Sequence, residues 1–257
     1  MLQEILDEII LFSVSFIANL FASVSGGGAG FVQFPLLIIM GLPFAEALGT
    51  HKVAVIFLGI GALCKKKSQQ KNFNLDKQIA FIMLAIGCPA VVAGTLIIIN
   101  VPSHIAEVAV GIITILSGIY TLVKKQFGSH ADPNRTKTQI ILGTLAIILV
   151  GLFSGSLSSG AGLFATLTFV SIFRLDLKSA ILHTMVFVAT IWNIVGAITV
   201  GSVTAIHWTW VPVLIVATFL GSFVGTSLLI NLPVKIVRII FSFVAILSGV
   251  ILISTTM

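Results

Sequence analysis

Ten apolar runs separated by short polar stretches leave this chain of 257 residues few ways to fold. They cover residues 5–24, 30–40, 45–64, 78–99, 104–123, 139–156, 161–173, 179–200, 209–230 and 234–254. A helix needs about 20 apolar residues to cross the roughly 30 Å hydrocarbon core of a bilayer. Eight runs reach or approach that length and two fall well short. Charged residues make up only 9% of the chain and mean hydropathy is +1.18, whereas a soluble domain carries about a quarter charged residues. The pattern predicts an all-α polytopic membrane protein whose main partner is the lipid bilayer.

Residues 1–10 carry Glu4, Asp7 and Glu8 and no basic residue. They lack the positive n-region of a secretory signal, so the first helix is expected to stay in the mature chain. Cys64 and Cys88 stand alone, with no metal-like spacing, and read as small hydrophobes. The net charge of +6 invites a nucleic-acid reading. The basic residues lie between apolar runs, however, so topology explains them and no nucleic-acid partner is expected.

Glycine precedes both short runs, as Ser25-Gly26-Gly27-Gly28-Ala29-Gly30 and as Ser158-Ser159-Gly160-Ala161-Gly162. Glycine supplies unusual backbone angles and lets another backbone or a ligand approach closely. At about 1.5 Å per residue the short runs rise only about 16–20 Å, so each glycine tip is expected to end within the membrane. Non-helical backbone at that depth is tolerated only where protein or a wet cavity covers it. Such breaks at matching places in two halves point to a transport site.

The two halves do match. Leu20-Phe21 and Gly28-Ala29-Gly30 recur 132 residues later as Leu152-Phe153 and Gly160-Ala161-Gly162. Gly94-Thr95, Asn100, Pro102 and Ile115-Leu116-Ser117-Gly118 recur 131 residues later as Gly225-Thr226, Asn231, Pro233 and Ile246-Leu247-Ser248-Gly249. Repeats are therefore expected at 1–123 and 139–257, joined by a cytoplasmic linker, 124–138. In each, a long helix and a short broken or re-entrant one precede three spanning helices.

Lysine and arginine favour short cytoplasmic loops. They cluster as Lys65, Lys66, Lys67, Lys71 and Lys77; as Lys124, Lys125, Arg135 and Lys137; as Arg174 and Lys178; and as Lys235 and Arg238. With those four places inside, only Lys52 of the 14 basic residues is left over. The loop after the third segment is then inside in the first half, while its counterpart, 201–208, is outside. The halves are expected to have inverted topology, with both termini outside the inner (cytoplasmic) membrane.

The glycine tips carry the first site candidates, Gly26, Gly27, Gly28 and Gly30 with Gly160 and Gly162. Backbone N–H groups at the starts of the short helices, near Gly30 and Gly162, present partial positive charge, which suits an anion. Ser25, Ser158 and Ser159 add hydroxyl donors. The competing reading is close helix packing, which also favours small residues. Lys52, in Gly49-Thr50-His51-Lys52, sits about 10 Å from the outer end of its helix. A cation at that depth points to function, unless it snorkels to the interface. His51 and His183 fall at near-matching places 132 residues apart, with Thr184 beside the second near the inner face. Gln33 in the first short helix and Asn193 in mid-helix complete the polar set, and an amide in hydrocarbon needs a partner or a cavity. Pro35 and Cys88-Pro89 are expected to mark kinks.

An intramembrane hydrolase finds little support. Ser154 and Ser159, with His183, superficially suggest one, but the Gly-x-Ser-x-Gly elbow is absent around both serines. Leu152 and Ser156 flank Ser154, and Leu157 and Ala161 flank Ser159, where glycines are required. No paired intramembrane carboxylates, metal-ligand cluster or phosphate loop occurs, so no enzyme activity, metal or cofactor is expected.

Phe21-Ala22-Ser23-Val24-Ser25-Gly26-Gly27-Gly28-Ala29-Gly30, then Pro35, then Ala47-Leu48-Gly49-Thr50, resembles the sulfite exporter TauE/SafE family. That family is also called the toluenesulfonate uptake permease group. The run from Gly151 to Gly162 is similar to its second, more degenerate copy. The resemblance implies an inner-membrane transporter of small sulfur-containing or organic anions such as sulfite, sulfonates or sulfoacetate-like compounds. Two departures touch the site: family members often have serine where this chain has His51, and Ser158 and Ser159 thin the second glycine run.

The expectation is a secondary transporter of a small anion working by alternating access, with an anion channel as the alternative. An interior-negative potential drives anions outward by about 2.3 kcal/mol per charge per 100 mV, which favours export. Uptake needs a co-transported proton or cation, and His51, His183 and Lys52 are the buried groups able to carry a proton.

Overall fold

The computed structural model describes residues 2–68, 74–98, 104–123, 127–132, 134–156 and 160–256. Among the described residues there are helices and connecting turns but no strand. The first half holds α1 (Leu2–Ser25), a 3₁₀ turn (Ala29–Phe31), α2 (Gln33–Ile39) and α3 (Phe44–Ser68). It continues with α4 (Lys77–Ile82), a wide π turn (Met83–Gly87), α5 (Cys88–Ile98) and α6 (His104–Val123). The second holds α7 (Lys137–Ser156), α8 (Ala161–Ser171), α9 (Leu177–Thr184), a second π turn (Met185–Trp192), α10 (Asn193–Gly201), α11 (Val211–Asn231) and α12 (Val234–Thr256). With each π turn fused to its flanking helices, seven helices among the described residues are long and apolar enough to cross a membrane.

The local signals act where the chemistry places them. Asp76 caps α4, accepting from the Gln78 and Ile79 amides at 3.0 and 3.1 Å. Asp176 caps α9 through the Ser179 amide at 3.0 Å. Both short helical segments open on left-handed glycines, Gly28 at φ 104° and Gly160 at φ 79°, a conformation that costs an L-residue with a Cβ. Pro35 falls in the first turn of α2, where its missing N–H leaves no helical bond unmade. The expected kink is thus a helix start. Before Pro89, the chain widens into the π turn of Met83–Gly87, which is a recognised site of helix bending. The second π turn has no proline and was not expected. Trp192 ties the two together: its Nε1 donates to Met83 O at 2.9 Å, and its ring lies over Gly87, where a Cβ would collide with it.

Helix pairs approach through glycine. Gly221 and Gly225 on α11 face the Phe16 and Leu20 carbonyls of α1, and Gly94 on α5 faces the Leu152 carbonyl of α7. On α3, Gly59 faces the second π turn and Gly61 faces the Phe219 carbonyl of α11. Without a hydrophobic drive in lipid, such close contacts hold helices together. Polarity is inverted accordingly: Ile141, Leu145 and Leu149 form an exposed stripe on α7, while Ser15, Asn19, Gln33, Lys52 and Thr95 are fully buried.

Replacing Gly94 by alanine would drive a methyl group into the Leu152 backbone, less than 3 Å away at its carbonyl carbon (2.8 Å). Gly94→Ala is expected to destabilise the protein by about 1–3 kcal/mol, read as a lowered thermal-unfolding midpoint in detergent.

Candidate functional site

The two glycine breaks meet each other. A Cβ built on Gly27 would sit 2.8 Å from Gly162 Cα and 2.7 Å from Leu163 N, and one on Gly162 would sit 2.9 Å from Gly27 Cα. The loop after α1 and the first turn of α8 are therefore in backbone contact, with no room for a side chain on either. Thr166 of α8 fills the space beneath Gly26. Its hydroxyl is 2.8 Å from that of Thr184. The loop after α1 supplies its own polar closure. The Ser25 hydroxyl lies 2.7 Å from Gly27 O and 2.9 Å from Phe21 O, and Gly27 N donates to Ala22 O at 2.9 Å.

A cavity of about 30 Å³ lies at this junction, enough for one or two waters. Gly26, Gly27, Gly28 and Gly30 line one side, and Gly160 and Gly162 another. His51 of α3, Thr184 of α9, Asn193 of α10 and Ser154 of α7 add polar groups, and Val55, Leu58, Met185, Val188 and Ala189 complete the wall. Residues far apart in sequence thus converge on one small space. Ser158 and Ser159 lie outside the described residues.

The remaining polar candidates stand behind that wall. His51 Nδ1 is 3.0 Å from Gln33 Oε1, and Gln33 Nε2 donates to the Thr218 hydroxyl at 3.3 Å. Asn19 Nδ2 reaches the same hydroxyl at 3.2 Å and Ser15 O at 2.7 Å. A buried polar chain therefore runs from the cavity into the contact between α1 and α11. Lys52 is fully buried and its Nζ donates to Ser154 O at 2.6 Å, with its stem against Gly196. It does not snorkel. Asn193 Nδ2 donates to Val188 O at 2.8 Å and Ala189 O at 3.3 Å, carbonyls loosened by the π turn, while its Oδ1 has no partner among the described residues.

Thr50 and His183 are engaged elsewhere. The Thr50 hydroxyl donates to Glu46 O at 2.8 Å and accepts from His207 N at 2.9 Å. It ties α3 to the turn before α11, where the His207 ring also meets Glu46 Oε1 at 3.1 Å. His183 uses both ring nitrogens, donating from Nδ1 to Ser179 O at 2.8 Å and accepting the Asp76 N–H at Nε2 at 3.0 Å. Asp76 in turn pairs with Arg135 at 2.6 Å, and Arg135 Nε donates to Phe173 O at 2.6 Å. His51 and His183 thus occupy different settings, one at the cavity and one in a latch joining the start of α4, the linker and the turn after α8.

Residues 11–252 match the family model described as "Sulfite exporter TauE/SafE". This chain belongs to that family. As a TauE/SafE protein with seven candidate spans, it is a multi-pass membrane protein of a transporter family. It is 27% identical over 229 residues to "Probable membrane transporter protein YfcA" of Escherichia coli K12, covering 89% of this chain and 83% of that one. It is 28% identical over 179 residues to "Probable membrane transporter protein" of Haemophilus influenzae, covering 69% and 68%. To "Probable membrane transporter protein ORF9" of Sinorhizobium it is 27% identical over 68% of this chain. That match spans 65% of the Sinorhizobium relative, just under two thirds of its length. No solved structure matches significantly.

Sequence reading missed Asn19, Thr166, Thr218 and the main-chain role of Ser154 in this TauE/SafE protein. Asn19 was legible as a lone amide in an apolar run, whereas a single threonine in a spanning helix carries no signal, since it bonds its own i−4 carbonyl.

The latch makes a pH prediction. Burial works against ionisation of Asp76, but the Ile79 amide, the Arg135 guanidinium and the Gln78 amide outweigh it and hold the carboxyl below its ordinary value of 3.8. A carboxyl lowered in the folded state stabilises it above its unfolded value, and that support is lost as pH falls through the folded value. The midpoint difference between wild type and Asp76→Asn is therefore expected to be constant above about pH 5 and to shrink in more acid solution. A difference growing with acidity would contradict it.

Proposed function

We propose that this protein is a secondary transporter of small sulfur-containing or organic anions, of the sulfite or sulfonate kind, across the cytoplasmic membrane. The observation that carries the reading is the convergence of both glycine breaks on one cavity bordered by His51 and Asn193. The amino end of α8, opened by Gly160, turns partial positive charge toward that space. It suits an anion without placing an arginine in the membrane. Lys52 strengthens the field from behind Ser154. The description of the family as sulfite exporters supports the substrate class.

Alternating access is the mechanism, with 1–123 and 139–257 as two inverted repeats around the cavity and 124–138 as a cytoplasmic linker. Both termini lie outside. Two features support the repeat: each short helical segment begins at a left-handed glycine, and α1 packs along α11 as α7 packs along α5. A cavity of about 30 Å³ favours a carrier over an open anion channel. An uncoupled carrier of a singly charged anion runs outward, because the interior-negative potential contributes about 2.3 kcal/mol per 100 mV.

Flux of sulfite, thiosulfate and sulfonates into or out of proteoliposomes tests the reading, and trans-acceleration by unlabelled anion separates carrier from channel. No anion flux at either polarity would sink it. Lys52→Met is expected to lower initial flux about tenfold, equivalent to roughly 1.4 kcal/mol; unchanged flux would make Lys52 a packing residue.

A further inference from the structure

We propose that His51 carries a proton alongside each anion, so that movement of a singly charged anion through this site is electroneutral. The inference rests on the anion-transport reading, not on its direction.

The neighbours of the ring fix where that proton sits. Gln33 spends its Nε2 on the Thr218 hydroxyl, so the Oε1 facing His51 Nδ1 at 3.0 Å can only accept. Nδ1 thus keeps its hydrogen in both charge states, and Nε2 is where a proton is gained or lost. Among the described residues Nε2 has no hydrogen-bond partner. The ring borders the cavity, and Gln33 does not.

Asn193 is the independent observation. Two π-turn carbonyls hold its Nδ2, and the Oδ1 this leaves over is buried in the wall of the same cavity without a partner among the described residues. A buried acceptor of this kind calls for a donor. The N–H groups at the start of α8 suit an anion, and none of them bonds to this oxygen among the described residues. A hydrogen on His51 Nε2, direct or relayed by water, is what the acceptor side of the cavity lacks.

Charge makes proton and anion arrive together. On α3, Lys52 adjoins His51, Glu46 is paired with His207 beyond Thr50, and Lys65, Lys66 and Lys67 lie in the last turn. The elements packed against α3 here are α2, α10, α11 and the second π turn, and none carries a titratable side chain. The acidic residues of α1, Glu4, Asp7 and Glu8, lie toward its start, far from Asn19. Among the described residues no carboxylate pairs with His51, and charge on Lys52, its neighbour in the chain, opposes a charge there. A bound anion removes that opposition, and by linkage each ligand raises the affinity for the other. On loading, one proton passes from solvent to Nε2 as one anion enters; on release both leave to the other side. Net charge moved is zero, and the anion and pH gradients set the direction.

The test uses the full-length protein in proteoliposomes with radiolabelled methanesulfonate, a strong-acid anion that takes up no proton near neutrality, and a lumenal pH dye. About one proton per methanesulfonate, with flux unchanged by potassium-diffusion potentials of either sign, is expected. His51→Gln keeps a polar side chain but cannot titrate, and is expected to move methanesulfonate with no proton and with potential-driven flux. Wild-type methanesulfonate flux without protons overturns the proposal, as does undiminished coupling in His51→Gln. Sulfite transport with refusal of methanesulfonate also overturns it, because the proton then travels on the ligand. If His51→Gln is unfolded or inactive, the wild-type stoichiometry decides alone. Absence of flux for both anions instead overturns the transport reading beneath it.

Discussion

Everything at the centre of this molecule depends on a contact that involves no side chain. Gly26 and Gly27 lie against Gly162 and Leu163 at backbone distance, where any Cβ would force the loop after α1 and the first turn of α8 apart. Once they touch, the C-terminal end of α1 and the first turn of α8 are fixed relative to each other. Main-chain polar groups cannot be left bare in an apolar interior, so the loop after α1 is closed by Ser25 and by the Gly27 N–H bond to Ala22 O. The same requirement explains why loops of this kind sit where three further helices can cover them.

The helices that cover the junction bring polar groups that are costly in hydrocarbon unless paired. Most are paired in lines rather than singly. Asn19, Thr218, Gln33 and His51 form one line, and Lys52 reaches the main chain of α7 at Ser154. Each line ends at the cavity wall. Asn193 stands apart from these lines: its amide nitrogen is held by the π turn, and its oxygen, like that of Asn19, has no partner among the described residues. That π turn does two things at once: it frees carbonyls for Asn193 and positions Trp192 to reach Met83 in the other one.

Much of this was legible beforehand, and the reasons are physical. Apolar length sets helix extents because bilayer thickness is fixed, so α6 at His104–Val123 coincides with its apolar run and most others agree within three residues. α3 runs four residues further, to Ser68, because its lysines extend the last turn beyond the apolar stretch. The glycine runs were legible because little else in a spanning sequence demands them. What could not be read depends on partners distant in sequence. The depth of Lys52 was clear but not its destination, since Ser154 lies 102 residues away. The symmetry of His51 and His183 was misleading for the same reason. The sequence spacing matches the two ring positions, but the partners differ in kind, Gln33 for His51 and the Asp76 N–H for His183.

That difference extends to the polar ties on either side of α3. Near the start of α3, Thr50 and Glu46 hold the turn carrying His207. Beyond its far end, Asp76, Arg135 and His183 hold the start of α4, the linker and the turn after α8. α3 spans 25 residues between them, about 37 Å at 1.5 Å per residue, and carries His51 and Lys52 along the way. The two ties are built from different chemistry: a half-exposed histidine–carboxylate contact at one end, and an arginine–carboxylate pair joined to a buried histidine at the other. The first of these ties engages α3 directly, through Thr50 and Glu46, whereas the second joins segments that follow it in the chain.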